Sequence, residues 1–296
     1  MNLSDLTDEV LAYLRSFTKD QETATFITAD IDATALEIPV ADANYVSRGR
    51  MEIGDEVIWV DRVDREKGIA TVPPYGRGMD GTTATDHKVG SQMINNPLYP
   101  RHMVKKTINQ IITAMGSDLY AVRSVQYKAK TLGYAYELPE DARNILSISY
   151  IANPSSYKFP TFVKSFTFDP NADPTVSKTG KCVYIYDVVT PLFTYTITYA
   201  GWPKALESAD QDFTETGLPA TSYDVVILGA AARLMSVATA AMIQSQSIEA
   251  NVVDQRMDPS SITSQSKYLY GLYQQRLQEE RLRLLNTTSQ RSYSAR

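Results

Sequence analysis

Hydrophobic positions change their period several times along this chain, and the changes divide it. Near the start, Leu6, Val10, Leu14 and Phe17 recur at helical spacing, which predicts an amphipathic helix over residues 3–18. Ser4 is placed to cap that helix, and Asp5, Asp8 and Glu9 favour the positive end of its dipole. From residue 24 to 96 the period shortens. Runs at 35–40, 53–63 and 69–72 read as strands, with the polar turn Asp64-Arg65-Glu66-Lys67-Gly68 between two of them. Gly, Pro and Asp separate the runs and no helical stripe interrupts. The pattern predicts a small all-β domain, an antiparallel barrel or sandwich.

Pro97 and Pro100 close that segment. A helical stripe follows at Val104, Ile108, Ile111, Ile112 and Met115, with Pro100 in its first turn and Gly116 as its C-terminal stop. The chain then turns β-rich again. Leu138-Pro139 breaks it, 145–151 reads as a strand, and 152–180 reads as an extended loop holding a short strand at 162–168. Residues 181–200 predict a hairpin. Its second arm alternates Tyr195, Ile197 and Tyr199 with Thr194, Thr196 and Thr198, so one face is drier than the other.

After a polar connection at 201–220 comes the longest apolar run, residues 225–243. It is long enough to test as a membrane span. Arg233 lies at its centre, and a central arginine costs several kcal/mol in a bilayer. Alanine supplies much of the rest. The run therefore predicts a helix over 222–248 buried in protein, opened by a capping box of Thr221 with Asp224. Gly229, Ala232, Arg233 and Ala240 are its candidates for packing against a neighbouring subunit. The last helix spans 261–285, with Ile262, Leu269, Leu272, Tyr273, Leu277 and Leu284 on one stripe. Tyr268, Leu282 and Leu285 lie off that stripe, which predicts that more than one face is covered. Residues 286–296 lack apolar periodicity and read as a flexible tail. The divisions are thus an N-terminal helix (1–20), a small β domain (24–96), a helical and β core (97–285) and the tail (286–296). The fold class is α+β.

Composition narrows the possibilities. The chain has 296 residues, 43% apolar and 21% charged, ordinary for a globular protein of about two domains. The net charge of −5 argues against a broad cationic surface gripping nucleic acid. That charge is uneven. Residues 260–296 carry Lys267, Arg276, Arg281, Arg283, Arg291 and Arg296 against Glu279 and Glu280, a net +4, which leaves −9 on residues 1–259. A basic end on an acidic body suggests an interaction tail. Cys182 is the single cysteine, which excludes an intramolecular disulfide framework, and His87 and His102 are the two histidines, too few for a multi-histidine metal centre. No metal or cofactor is assigned. The opening MNLSDLTDEV lacks a signal-peptide layout, so synthesis in a reducing cytoplasm is expected. Tyrosine supplies 19 residues against 8 phenylalanines and 2 tryptophans, a bias that suits surfaces buried against a partner yet still wet.

Chemical motifs are few. Gly76-Arg77-Gly78-Met79-Asp80-Gly81 matches the dinucleotide pattern G-x-G-x-x-G, but Pro73-Pro74 precede it and no helix follows. Its glycines are expected to provide positive φ in a long loop. There is no G-x-S-x-G elbow. Cys182 sits in a strand pattern and reads as packed. The adjacent acids Asp55-Glu56 and Glu279-Glu280 read as solvated positions. No catalytic residue is assigned.

Two stretches carry a family resemblance. RGMDGTTATDHKVG at 77–90, following the strand Glu56–Val60, resembles the R-G-x-x-G-T-x-A-x-x-H-x-x-G element of bacteriophage neck and tail proteins, on Arg77, Gly78, Gly81, Thr82, His87 and Gly90. YPRHMVKKTINQIITAM at 99–115, Leu138-Pro139, GLPATSYDVVILGAAARLM at 217–235 and QEERLRLL at 278–285 then occur in an order that resembles the head-to-tail connector (adaptor) proteins of long-tailed phages, particularly those of actinobacteria. The resemblance covers nearly the whole chain except the final NTTSQRSYSAR. It implies a helical connector core with an antiparallel β segment plus a β domain, and a non-enzymatic virion part made in the bacterial host cytoplasm. Such subunits form a dodecameric ring in the neck, joining the portal protein to a downstream neck or stopper protein and extending the channel through which double-stranded DNA passes. Candidate portal contacts are then Arg281, Arg283, Leu284, Leu285, Arg291, Tyr293 and Arg296. Mild acidity suits a channel that must not hold phosphates. Two other readings compete: a stopper or terminator, expected to be mostly β, and a glycan-binding or hydrolytic virion module using Val57-Ile58-Trp59 and Tyr75 as an aromatic surface.

Overall fold

A computed structural model describes residues 1–17, 22–130, 135–151, 160–187, 193–248 and 259–287, with backbone only for 238–248, 259–262 and 287. Among the described residues the chain is mixed α+β, with four helices and four antiparallel sheets, none closed into a barrel. Two compact units interleave along the sequence. One holds Ser4–Ile108 and Ile227–Gly271; the other holds Met1–Leu3, Asn109–Val226 and Leu272–Arg296.

The first of these opens with α1 (Leu3–Arg15), whose Leu6, Val10 and Leu14 are fully buried as their spacing requires. Seven short strands follow: β1 (Ala24–Phe26), β2 (Glu37–Pro39), β3 (Gly49–Ile53), β4 (Glu56–Val60), β5 (Arg62–Asp64), β6 (Ile69–Thr71) and β7 (Gln92–Asn95). They form two sheets, ordered β1-β7-β3-β4 and β2-β6-β5. One core serves both: Ile38 and Ala70 from the smaller sheet join Met51, Ile53, Ile58, Val60 and Met93 from the larger. The apolar run 53–63, expected as one strand, spans three. Gly54, at φ +58°, turns β3 back into β4, and Asp61 separates β4 from β5. The expected turn at 64–68 joins β5 to β6, with Asp64 Oδ1 accepting from the amides of Glu66 and Lys67.

Helix α2 (Arg101–Met115) buries all five residues of its stripe, and Pro100 accepts its first two amide bonds. Gly116 follows the last turn for a different reason from the one expected. Its φ is not positive; instead a Cβ there would come within 2.7 Å of the Trp202 ring and 2.9 Å of Pro203.

The other unit carries β8 (Ala121–Lys128), β9 (Ala135–Glu137), β10 (Ala142–Tyr150), β11 (Thr161–Phe162), β12 (Phe166–Asp169), β13 (Cys182–Ile185) and β14 (Thr194–Gly201). Its sheets run β11-β10-β14-β8 and β12-β13-β9. The expected hairpin at 181–200 is not formed: β13 pairs with β9 and β12, while β14 inserts between β10 and β8. The alternation in β14 holds. Tyr195, Ile197 and Tyr199 face a core shared with Tyr136, Leu138 and Val183, and the threonines face outward. The strand expected at 162–168 is two strands, β11 and β12, in different sheets; part of its preceding loop, 152–159, lies outside the described residues. Aromatic rings close the core edge to face, Tyr136 with Tyr195 at 5.6 Å and Tyr150 with Tyr195 at 6.0 Å.

Two long helices end the chain, α3 (Tyr223–Ile248) and α4 (Pro259–Thr287). From Val225 to Met235 every side chain of α3 but Arg233 is buried. The window Ala220–Val237 is long and apolar enough to cross a membrane by length and composition alone. The expected capping box at Thr221 is absent. Thr221 Oγ1 donates to Glu280 on α4 at 2.8 Å, and Asp224 pairs with Arg276 at 2.8 Å. A capping box forms upstream instead, between Asp212 and Glu215 on a 3-10 turn at Phe213–Thr216.

Candidate functional site

The loop motif at 77–90 closes over one buried carboxylate. Glu56 opens β4, and its side chain is fully buried. Arg77 grips it with two parallel bonds, Nε to Oε1 at 2.7 Å and Nη2 to Oε2 at 3.0 Å. The Gly78 amide donates to Oε1 at 3.1 Å and the Thr85 amide to Oε2 at 3.0 Å. His87 Nε2 lies 2.8 Å from Oε2. An ionised carboxylate only accepts, so this nitrogen carries the proton. Burial pushes the Glu56 carboxyl up, but the bonds from His87, Arg77, Thr85 and Gly78 outweigh it and hold the group at about 2.

The remaining motif residues complete the loop. Arg77 also donates to the carbonyls of Asp32, Ala35 and Thr85, fastening three segments together. Thr82 Oγ1 donates to Met79 O and accepts the Val57 amide. Gly78 and Gly81 have positive φ, as expected, and so has Gly90; Gly76 does not, and is needed instead because a Cβ there would meet Trp59 O, Val72 and Pro73, each within 2.9 Å. The acceptor positions of Glu56 are taken and the group is sealed from water, so it has no free position from which to move a proton to a substrate. This arrangement is architectural. It also corrects the expectation that Asp55-Glu56 is a solvated pair: Asp55 is exposed, Glu56 is not.

Four residues upstream, Glu52 on β3 is a second buried carboxylate. Its Oε2 accepts the Arg101 amide at 2.6 Å, at the first residue of α2. Burial pushes it up to about 7 against that bond and the Arg101 charge. Near it stand Asp55 and Glu22, and Arg101 in turn pairs with Asp8 and Asp55, the latter also held by Lys105.

In the other unit, the end of α4 borders an open groove of about 250 Å3, lined in part by Asp118, Arg143, Leu146, Arg281 and Leu285. Arg143 is held in place by a bond to Gly116 O and by the Trp202 ring, 4.0 Å from its guanidinium. Arg281 lies 3.4 Å from Asp118, with about half its side chain exposed. Among the portal-contact candidates, Arg281, Arg283 and Leu285 are exposed, Leu284 is buried, and Arg291, Tyr293 and Arg296 lie outside the described residues. Among the subunit-packing candidates, Gly229 and Ala232 are buried, Arg233 is exposed, and the side chain of Ala240 lies outside the described residues. Of the three residues off the α4 stripe, Tyr268, Leu282 and Leu285, all are exposed. Glu280 was missed. It is 2% exposed and accepts from Thr221 and Arg276, contrary to the solvated position expected for Glu279-Glu280.

Cys182 is buried, and burial raises its thiol, which disfavours the thiolate a nucleophile needs. Trp59 is half-buried within β4, while Tyr75 is largely exposed. Comparison with models of known families finds no match, and comparison with curated proteins finds none.

Proposed function

We propose that the chain is a structural, non-enzymatic part of a phage neck, a connector subunit that forms a ring and joins the portal to the next neck protein. The order of the motifs at 77–90, 99–115, 217–235 and 278–285 carries the reading. It is supported by what the loop motif does: its Arg77 and His87 are both spent on Glu56. Exposed apolar residues on the second half of α4 and on the β segment, among them Leu282, Leu285 and Tyr186, suit a subunit with lateral and axial neighbours. Helices α2 and α3 favour a connector over a mostly β stopper or terminator. On this reading the lumen is neutral or acidic, and double-stranded DNA slides past without sequence-specific contact. Portal attachment falls to Arg283 and the basic tail with Arg291, Tyr293 and Arg296.

The test is the mass of the purified full chain, measured with and without the portal of the same virus. A ring-sized assembly on the portal is the expected result. A persistent monomer with hydrolase activity would refute the reading. A chain truncated after Leu285 should stay folded by circular dichroism and attach to the portal less tightly; unchanged attachment removes the tail from the contact.

A further inference from the structure

The groove beside the end of α4 is the surface feature with the most defined chemistry. Two guanidinium groups, Arg143 and Arg281, border it against one carboxylate, Asp118, while Leu146 and Leu285 add aliphatic surface. Arg143 is preorganised: Gly116 O takes one of its N–H donors and Trp202 supports its plane. At about 250 Å3 the groove falls short of the roughly 300–1,000 Å3 that encloses a small molecule. It is sized for one or two side chains of a larger contact.

We propose that this groove receives an acidic, partly apolar stretch of a second copy of the chain. Charge supplies the argument. Residues 260–296 carry +4 and residues 1–259 carry −9, so the chain is complementary to itself when the basic end of one copy meets the acidic body of another. Pairing of two grooves about a two-fold axis would set Arg281 against Arg281. Repeated head-to-tail, groove of one copy on the acidic stretch of the next, the contact is of the type that closes rings. In this the inference rests on the ring reading above and assigns Arg281 and Leu285 to the neighbouring subunit instead of the portal.

A photoreactive benzophenone side chain at the exposed Ser117, on the rim of the groove, tests this in the full chain. Isotopically light and heavy copies are mixed, assembled alone and on the portal, irradiated and mapped by mass spectrometry. The expected result is a light-to-heavy adduct at an acidic stretch. Its yield should fall at least tenfold when Arg281→Glu and Leu285→Glu are combined, and persist in Arg281→Lys. Circular dichroism checks that each variant is folded. Adducts within one copy, or to the portal alone, would overturn the proposal. A ring that forms by mass without the inter-copy adduct would overturn it while leaving the ring intact, and a chain that never assembles overturns both.

Discussion

Replacing Glu56 with Gln should destabilise the unit that holds β1–β7 by about 3 kcal/mol. Two ways of weighing the same bonds give that figure. The carboxyl is held at about 2 against an ordinary value of 4.5, a difference of roughly 2.5 units at 1.36 kcal/mol each. Separately, breaking a buried ion pair on one side costs about 3–5 kcal/mol, because the partner charge is stranded, and the Arg77 side chain is only 6% exposed. The sign follows from the lowered value. The contribution is fully present above about pH 4.5 and is lost as pH falls through about 2. Urea unfolding of the full chain, followed by hydrogen exchange at the amides of β4 and of residues 77–87, reads this unit directly. The wild type should lose protection there progressively between pH 4.5 and 2, and Glu56→Gln should be weaker at pH 7 and lose less across that window, keeping only the part due to the lowered carboxyls of Asp30 and Asp32. Exchanging both partners for apolar residues, Glu56→Leu with Arg77→Met, should cost less than their separate effects summed. A change under about 0.5 kcal/mol in Glu56→Gln at pH 7 would refute the assignment of Glu56 as the node of the loop.

Glu52 gives the opposite dependence. Its carboxyl is raised to about 7, so the folded state keeps a proton that the unfolded state releases near 4.5, and stability falls by up to about 3 kcal/mol as pH rises from 5 to 8; Glu52→Gln should remove that slope in urea titrations at the two pH values, and an unchanged slope rules Glu52 out as its source. Gly116→Ala should cost about 1–3 kcal/mol by overpacking, since its Cβ would meet Trp202 and Pro203, while Gly81→Ala, at φ +82° in open space, should cost about 1–2 kcal/mol through backbone strain alone. Thermal unfolding compares the two glycines, and equal neutrality would show that both sites relax.

What the sequence makes legible here divides by range. The four helices appear where periodicity puts them, and α4 exceeds its expected span only at the ends, because a repeating apolar stripe is a local signal. Strand partners are not local. Cys182–Ile185 reads as half of a hairpin because Thr194–Gly201 follows it closely, yet β14 finds longer partners in β10 and β8, eight residues matching eight in the second case. That choice depends on cross-strand burial between segments far apart in sequence, which no window of the chain contains.

The buried carboxylates show the same division, and one of them was readable. Tyr273, Leu277, Glu280 and Leu284 are spaced four, three and four apart, so Glu280 lies on the apolar stripe of α4 and not beside it. A carboxylate in such a place must find donors, and Thr221 and Arg276 supply them. Adjacency to Glu279 points the other way, because two acids side by side suggest solvent, whereas consecutive helical residues point about 100° apart. Glu56 offers a weaker signal. It heads a strand otherwise composed of Val57, Ile58, Trp59 and Val60, so a charge there is out of place without a cation. The cation is Arg77, 21 residues on, beyond a turn, two short strands and a pair of prolines. Local pattern identifies the residue that needs a partner; only the fold identifies the partner. In this chain that distinction decides the meaning of the 77–90 motif. Read as sequence, Arg77 and His87 have the capacity for chemistry. Once Glu56 is placed between them, the same residues are the fastening of a loop, and any contact function has to come from surfaces that remain open, the groove at the end of α4 first among them.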